Sequence, residues 1–308
     1  MKILFVAPLE SPECTAWLIL KAMKNLGLEV EPFSYREITK TESQESMNFQ
    51  LREKVIHLEW KDLVFVIKGD GIWPETLIAI SARKILWWFD FDSFILPENL
   101  IKFSRNFHYV FLMCYPWVAS LRDLGINAFF MPQATDPSVY HPVKPEAKYE
   151  CDVAFIGSYK AGRDVILREL KNFRLLVFGN GWNRKPVYLE EFNKVCNSAK
   201  VILNITSSDD WPIYSRTFSQ RIYMTMAAGG YLVTDNIPEL PFKWVGVYEN
   251  IPRLKGIIEW AIENEDIRKV VCKKARVEIL RNHTYYHRIK EIFRCLRLSP
   301  SVLKSTRA

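Results

Sequence analysis

Short apolar runs alternate with amphipathic stretches along most of the chain. KILFVA opens as a strand, and residues 15–26 have helical spacing closed by Gly27. LEVEPFSY reads as a second strand, residues 40–48 as a polar loop, and residues 49–60 return to helical spacing. DLVFVIKG is a third, apolar strand that ends in a Lys68-Gly69-Asp70-Gly71 turn. Pro74 suits the first turn of a helix over 74–82. KILWWFDFD is a fourth strand with acids at its carboxyl end. YVFLMC and AFFMP follow, separated by a helix over about 117–124. Repeated strand-helix-strand predicts an α/β chain with a parallel, doubly wound sheet.

The pattern breaks once. MPQATDPSVYHPVKPEAKYE carries four prolines and several polar residues and reads as a linker. Alternation restarts at CDVAFIGS, runs through FRLLVFGNG and KVILNIT, and reaches YLVTDN. The expected domains are therefore 1–135 and 150–282, with HTYYHRIKEIFRCL as one more amphipathic helix over 283–298. No repeat of solenoid length is visible.

Composition narrows the class. A chain of 308 residues suggests about two domains, and 49% hydrophobic residues can build their cores. The six cysteines are scattered, with no CxxC pair, which disfavours a zinc site or a disulfide scaffold and fits a reducing cytoplasm. MKILFVAPLE reads as a first strand and not as a signal peptide. No stretch approaches a membrane span. The net charge of +7 is uneven: from residue 251 onward 14 Lys and Arg stand against 6 Asp and Glu. Such a region suits phosphate-rich partners, although a solvated helical surface has the same composition.

Candidate chemistry is sought after each strand, because open α/β sheets bind ligands beyond their carboxyl ends. DVAFIG leads into SYKAGR, a glycine-bearing turn with Gly157, Ser158, Lys160 and Arg163 before a helix. Turns of this kind suit phosphate oxygens. Asn180-Gly181-Trp182 follows LLVFG, and Ser207, Ser208, Asp209 and Asp210 follow VILNIT, whose Asn204 stands near its end. SRTFSQRIYMTMAAGGYLVTDN then reads as helix, glycine turn, strand. Arg221 opens that helix, and Thr225 lies one turn on along the same face. The helix is apolar nearly all round, so a guanidinium entering it needs an anion, either a core carboxylate or a ligand. Gly229-Gly230 suits a left-handed helix end. In the first half the strand ends carry Glu10, Glu13, Asp70, Asp90 and Asp92. Asp90 or Asp92 could act as a general base, and turn or capping roles compete for each. His108, His141 and His283 lack metal-ligand spacing.

Together DVAFIGSYKAGR, VFGNGW, AKVILNIT, SQRIYMTMAAGGYLVTD and HTYYHR, in this order, resemble the CgeB-like (spore maturation) group of GT-B glycosyltransferases. VIKG, WWFDFD and MPQATDPSVYHP extend the resemblance over most of residues 62–292. The pattern at Arg221, Tyr223, Ala227, Gly229 and Gly230 is its strongest match. The resemblance implies two Rossmann-like domains, a nucleotide-sugar donor held by the second, and a last helix crossing back to the first. The implied donor is a UDP-, GDP- or other NDP-sugar, with no obligatory metal. The donor residues would be Gly157, Ser158, Lys160, Arg163, Asn204, Arg221, Met224, Thr225, Gly229 and Gly230. One position departs from the family pattern, which has Glu where this chain has Met224, and a thioether is no strong acceptor for a ribose hydroxyl.

The expected function is transfer of a sugar to a hydroxyl acceptor in the interdomain cleft. The acceptor is a glycan, protein, lipid or nucleic acid, and Asp90 or Asp92 would be its base in an inverting reaction. The basic carboxyl-terminal region adds peripheral contact with the cytoplasmic membrane face. Two other readings are a catalytically silent sugar-nucleotide or partner-binding module, motivated by Met224, and a nucleic-acid-binding, DNA-glycosylating protein.

Overall fold

Runs without a polar residue become the buried strands of two parallel sheets. The computed structural model describes residues 1–90, 95–206, 218–237 and 240–297. They group into two units, one of Met1–Pro132 with the helix that begins at Tyr285, the other of Gln133–Thr284. Each unit is built on one parallel sheet.

The first sheet holds β1 (Ile3–Ala7), β2 (Val30–Ser34), β3 (Leu63–Ile67), β4 (Arg83–Trp88), β5 (Tyr109–Leu112) and β6 (Ala128–Phe130). Their order is β2-β1-β3-β4-β5-β6, and every pairing is parallel. β1 and β3 are buried at every residue, as strands covered on both faces must be. The connecting helices are α1 (Thr15–Asn25), α2 (Tyr35–Thr41), α3 (Gln44–Val55), α4 (Pro74–Ile78), α5 (Glu98–Ser104) and α6 (Tyr115–Asp123).

Residues 40–48 are a correction to the expected loop. They end α2 and begin α3, whose N-cap Ser43 accepts from Ser46 N at 3.0 Å. Local polarity misled because one face is buried: Met47 packs in the core, and Asn48 Oδ1 accepts from Trp73 N and Thr76 Oγ1, each at 2.9 Å.

The second sheet holds β7 (Cys151–Ile156), β8 (Leu175–Phe178), β9 (Ala199–Asn204), β10 (Leu232–Asp235) and β11 (Gly246–Tyr248) in the order β11-β10-β9-β7-β8, again all parallel. Its helices are α7 (Ala161–Arg168), α8 (Leu189–Ser198), α9 (Gln220–Ala228), α10 (Ile251–Glu263) and α11 (Glu265–Asn282).

The chain then returns to the first unit as α12 (Tyr285–Cys295), which packs against α1. Tyr285, Ile289, Ile292 and Phe293 are buried. Arg288 Nε donates to Pro132 O at 3.0 Å, and the Tyr285 ring meets Trp87 with centroids 6.2 Å apart. Among the described residues no helix is long and apolar enough to cross a membrane.

Candidate functional site

In the second sheet the chain passes from β7 to one side for β8 and to the other for β9. The loops part at such a switch and leave room for a ligand. A cavity of about 330 Å³ lies at this edge, and Gly157, Ser158, Arg163, Gly179, Arg221 and Met224 are among its lining residues.

Two loops build its floor. Gly157 follows β7, and its N donates to Phe178 O at 2.8 Å, while Tyr159 N donates to Asn180 O at 2.7 Å. Trp182 Nε1 donates to Gly157 O at 2.8 Å. The packing demands glycine at Gly179: its φ is +144°, and a β-carbon there would stand 2.1 Å from Gly157 O.

Two guanidiniums approach from the helices. Lys160 caps α7, and its carbonyl accepts from Arg163 N at 3.0 Å. Arg163 Nη1 donates to Ser158 O at 2.8 Å. Arg221, in the first turn of α9, gives its Nη1 to Asn204 Oδ1 at 3.0 Å. The centroid of the Phe155 ring is 5.7 Å from the Arg163 guanidinium carbon and 5.3 Å from that of Arg221.

Arg221 exposes part of its surface to the cavity, yet protein atoms enclose much of the guanidinium. Burial, reinforced by repulsion from Arg163 and opposed by Asp235, pushes its pKa down to about 9. It is therefore charged at neutral pH. Among the described residues no carboxylate lies within ion-pair distance of it, and Asn204 is its one hydrogen-bond acceptor.

A polar network behind Arg221 orients it. Asn204 is fully buried at the end of β9, and its Oδ1 also accepts from Ser219 Oγ at 3.1 Å. Its Nδ2 donates to Thr234 Oγ1 at 2.9 Å and Thr206 Oγ1 at 3.2 Å. Both hydroxyls donate in turn to Asp235 Oδ1, at 3.0 Å from Thr234 and 2.5 Å from Thr206. The carboxylate can only accept, so the donors run from Asn204 toward Asp235, and the Asn204 carbonyl faces Arg221. Burial raises the pKa of Asp235, against the lowering effect of its bonds from Thr206 and Thr234. The reading of the sequence missed Asp235, although its place at the end of YLVTD was a usable signal.

Other expected donor residues lie elsewhere. Thr225 is buried inside the unit. Gly229 and Gly230 sit at the far end of α9: Gly229, at φ +86°, is its C-cap, and Gly230 N donates to Thr225 O at 3.0 Å. A β-carbon on Gly230 would meet Ile202 Cγ1 and Thr225 Cγ2 at 3.1 Å. These glycines close a helix and let it pass β9 closely, and neither lines the cavity beside Arg221. Met224 does line it.

In the first unit Asp90 follows β4 and pairs with Lys68 Nζ at 2.5 Å. Lys68 holds a left-handed backbone, φ 60°, at the end of β3. Asp70 accepts from Arg36 Nε at 3.0 Å and from the Tyr35 hydroxyl at 3.3 Å. Asp92, Ser207, Ser208, Asp209 and Asp210 lie outside the described residues. Among the described residues no three His, Cys, Asp or Glu side chains form a group that could hold a metal ion.

Residues 163–294 match the family described as Glycosyl transferase-like. No curated protein matches the chain. Solved structures with the same architecture include Anabaena HepE in complex with UDP-glucose, at 11% identity and TM-score 0.64, covering 96% of this chain and 99% of that one. A glycosyltransferase from Rickettsia africae has 12% identity and TM-score 0.63, with 99% of each chain covered. A variant of the Thermobaculum terrenum O-GlcNAc transferase has 10% identity and TM-score 0.59, covering 96% of this chain and 68% of that one. At these identities the likeness is one of fold. With the family match over 163–294, it supports glycosyl transfer in general terms.

Proposed function

We propose that this chain transfers a sugar from a nucleoside-diphosphate donor to a hydroxyl acceptor, and that the cavity after β7 and β8 holds the donor's diphosphate. Arg221 carries the reading: a charged, half-buried guanidinium opens into that cavity without a carboxylate in reach among the described residues. Such a charge is costly unless it meets an anion, and a guanidinium fits phosphate oxygens in pairs. Gly157 keeps the space beside it clear, since a β-carbon there would stand 2.7 Å from Nη2.

In the reaction the bond between the sugar's anomeric carbon and the diphosphate oxygen breaks. The acceptor oxygen forms the new bond and gives up its proton. Charge gathers on the leaving diphosphate, where Arg221, Arg163 and the first turn of α7 would stabilise it. Asp90, held by Lys68, is our candidate for the acceptor's proton, with Asp92 close by in sequence. Met224 gives the cavity an apolar wall, so ribose hydroxyls would find partners among its polar neighbours, such as Ser219 and Asn180.

A melting-temperature panel of nucleosides, nucleoside diphosphates and NDP-sugars tests this. UDP-sugars come first because HepE was solved with UDP-glucose. Diphosphates should raise the melting temperature by mass action, and bare nucleosides should do so much less. A panel in which no diphosphate moves it overturns the reading. Binding without release of the nucleoside diphosphate, across acceptors of several classes, makes the chain a binding module instead.

A further inference from the structure

A second, larger cavity of about 580 Å³ opens at the opposite edge of the same sheet, beside the first residues of β7 and β9. Six cations line it: Arg174, Lys200, Arg268, Lys269, Lys273 and Arg276. The acids on its wall are Glu150 and Glu265. α11 supplies four of the cations. Arg268 and Arg276 are eight residues apart and share a helix face, with Lys269 and Lys273 in the adjoining row.

Part of this charge is structural. Lys200 pairs with Asp152 at 2.9 Å and Lys269 with Glu265 at 2.6 Å. Arg174 stands 3.9 Å from Asp152, and Arg268 donates to Ala261 O in the last turn of α10 and interacts electrostatically with Glu265. Arg276 and Lys273 remain. Arg276 donates to Ala227 O, near the end of α9, and burial lowers its pKa. The end of a helix carries only about half an elementary charge, too little to neutralise a guanidinium. Among the described residues neither Arg276 nor Lys273 has an acidic partner. A solvated basic face would spread its lysines outward; here the charges line one hollow, with a half-buried guanidinium in its wall.

We propose that this hollow is a second anion site of the unit, taking a phosphate group of a free phosphorylated molecule or of a lipid headgroup. The assignment does not depend on the reading of the first cavity.

The test is titration of inorganic pyrophosphate into the full chain carrying Arg221→Ala, followed by the same titration after adding Lys273→Glu, or Lys273→Glu with Arg276→Gln. Lys273 is exposed, so its variant keeps the experiment interpretable if loss of Arg276 unfolds the chain. A parallel arm floats the proteins with phosphatidylcholine vesicles, with and without phosphatidylglycerol. We expect the Arg221→Ala chain to bind pyrophosphate, and Lys273→Glu to cut that affinity at least about tenfold, as loss of a charged contact does. Flotation with anionic vesicles that Lys273→Glu abolishes supports the site and assigns the phosphate to a lipid. Pyrophosphate binding without flotation supports it and assigns a free ligand. An Arg221→Ala chain that binds neither probe overturns the proposal, as does binding that the substitutions leave unchanged.

Discussion

Gly157 and Arg221 are matched to each other: a β-carbon on Gly157 would stand 2.7 Å from Arg221 Nη2. The glycine follows β7 and the arginine opens α9, so the guanidinium lies across the switch in strand order where a ligand is expected. The atom that a new methyl group would meet is the tip of a flexible side chain, which can move away without moving the backbone.

Gly157→Ala should therefore displace the guanidinium and leave the fold in place. The expected outcome is about a tenfold loss of affinity for nucleoside diphosphate, a charged hydrogen bond's share. Phe155 Cζ would also be crowded, at 3.1 Å, so a modest fall in melting temperature accompanies it. Calorimetric titration beside a melting curve measures both. Unchanged diphosphate affinity in the folded variant would mean that the guanidinium does not hold the ligand.

Arg221→Ala should weaken nucleoside-diphosphate binding by roughly ten- to a hundredfold. Nucleoside affinity should barely move, because the nucleoside has no phosphate. Asn204 Oδ1 keeps its bond from Ser219 at 3.1 Å, so the buried amide is not stranded. Equal losses for the two ligands, or an unfolded variant, would make Arg221 scaffold.

Asp235 ties stability to pH. Its carboxyl is held above the ordinary value of 3.8, chiefly by burial, so folding takes up a proton in that range. Its contribution is greatest below the unfolded value and is lost as pH rises through the folded one. Asp235→Asn removes the titration. The stability of wild type relative to this variant should thus fall as pH rises from about 4, as read from urea melts at successive pH values. A difference that rises with pH would contradict burial as the dominant cause.

Phe293 tests the last helix. It is 1% exposed on α12, which packs against α1. Phe293→Ala should cost about 3–5 kcal/mol, the usual range for emptying a buried aromatic site. A loss below about 1 kcal/mol would mean that the helix contributes little to the first unit.

Local pattern carried much of the fold. Parallel strands buried on both faces must be apolar throughout, so LVFVI and VAFI announce themselves, and Gly229 ends α9 because few other residues adopt φ +86° cheaply. Arg221 stood out as a candidate as well, since a cation at the head of an apolar helix asks for an anion. The start of α3 was not legible, because its buried polar Asn48 reads like a loop residue until Trp73 and Thr76 are seen to donate to it.

The chain order alone thus marked ten of the strands, a proline-rich break and a candidate guanidinium, while the three-residue β11 escaped it. It could not say which candidates meet. Gly157, Asn204 and Arg221 come together only because β7 and β9 are neighbours, and Gly229 lies away from them because a nine-residue helix spans about 13 Å. The hollow beside Arg276 is likewise a product of the sheet's amino-terminal edge meeting α11. Such meetings depend on strand order and packing between distant segments, whereas sequence periodicity records only which face of each segment is turned inward.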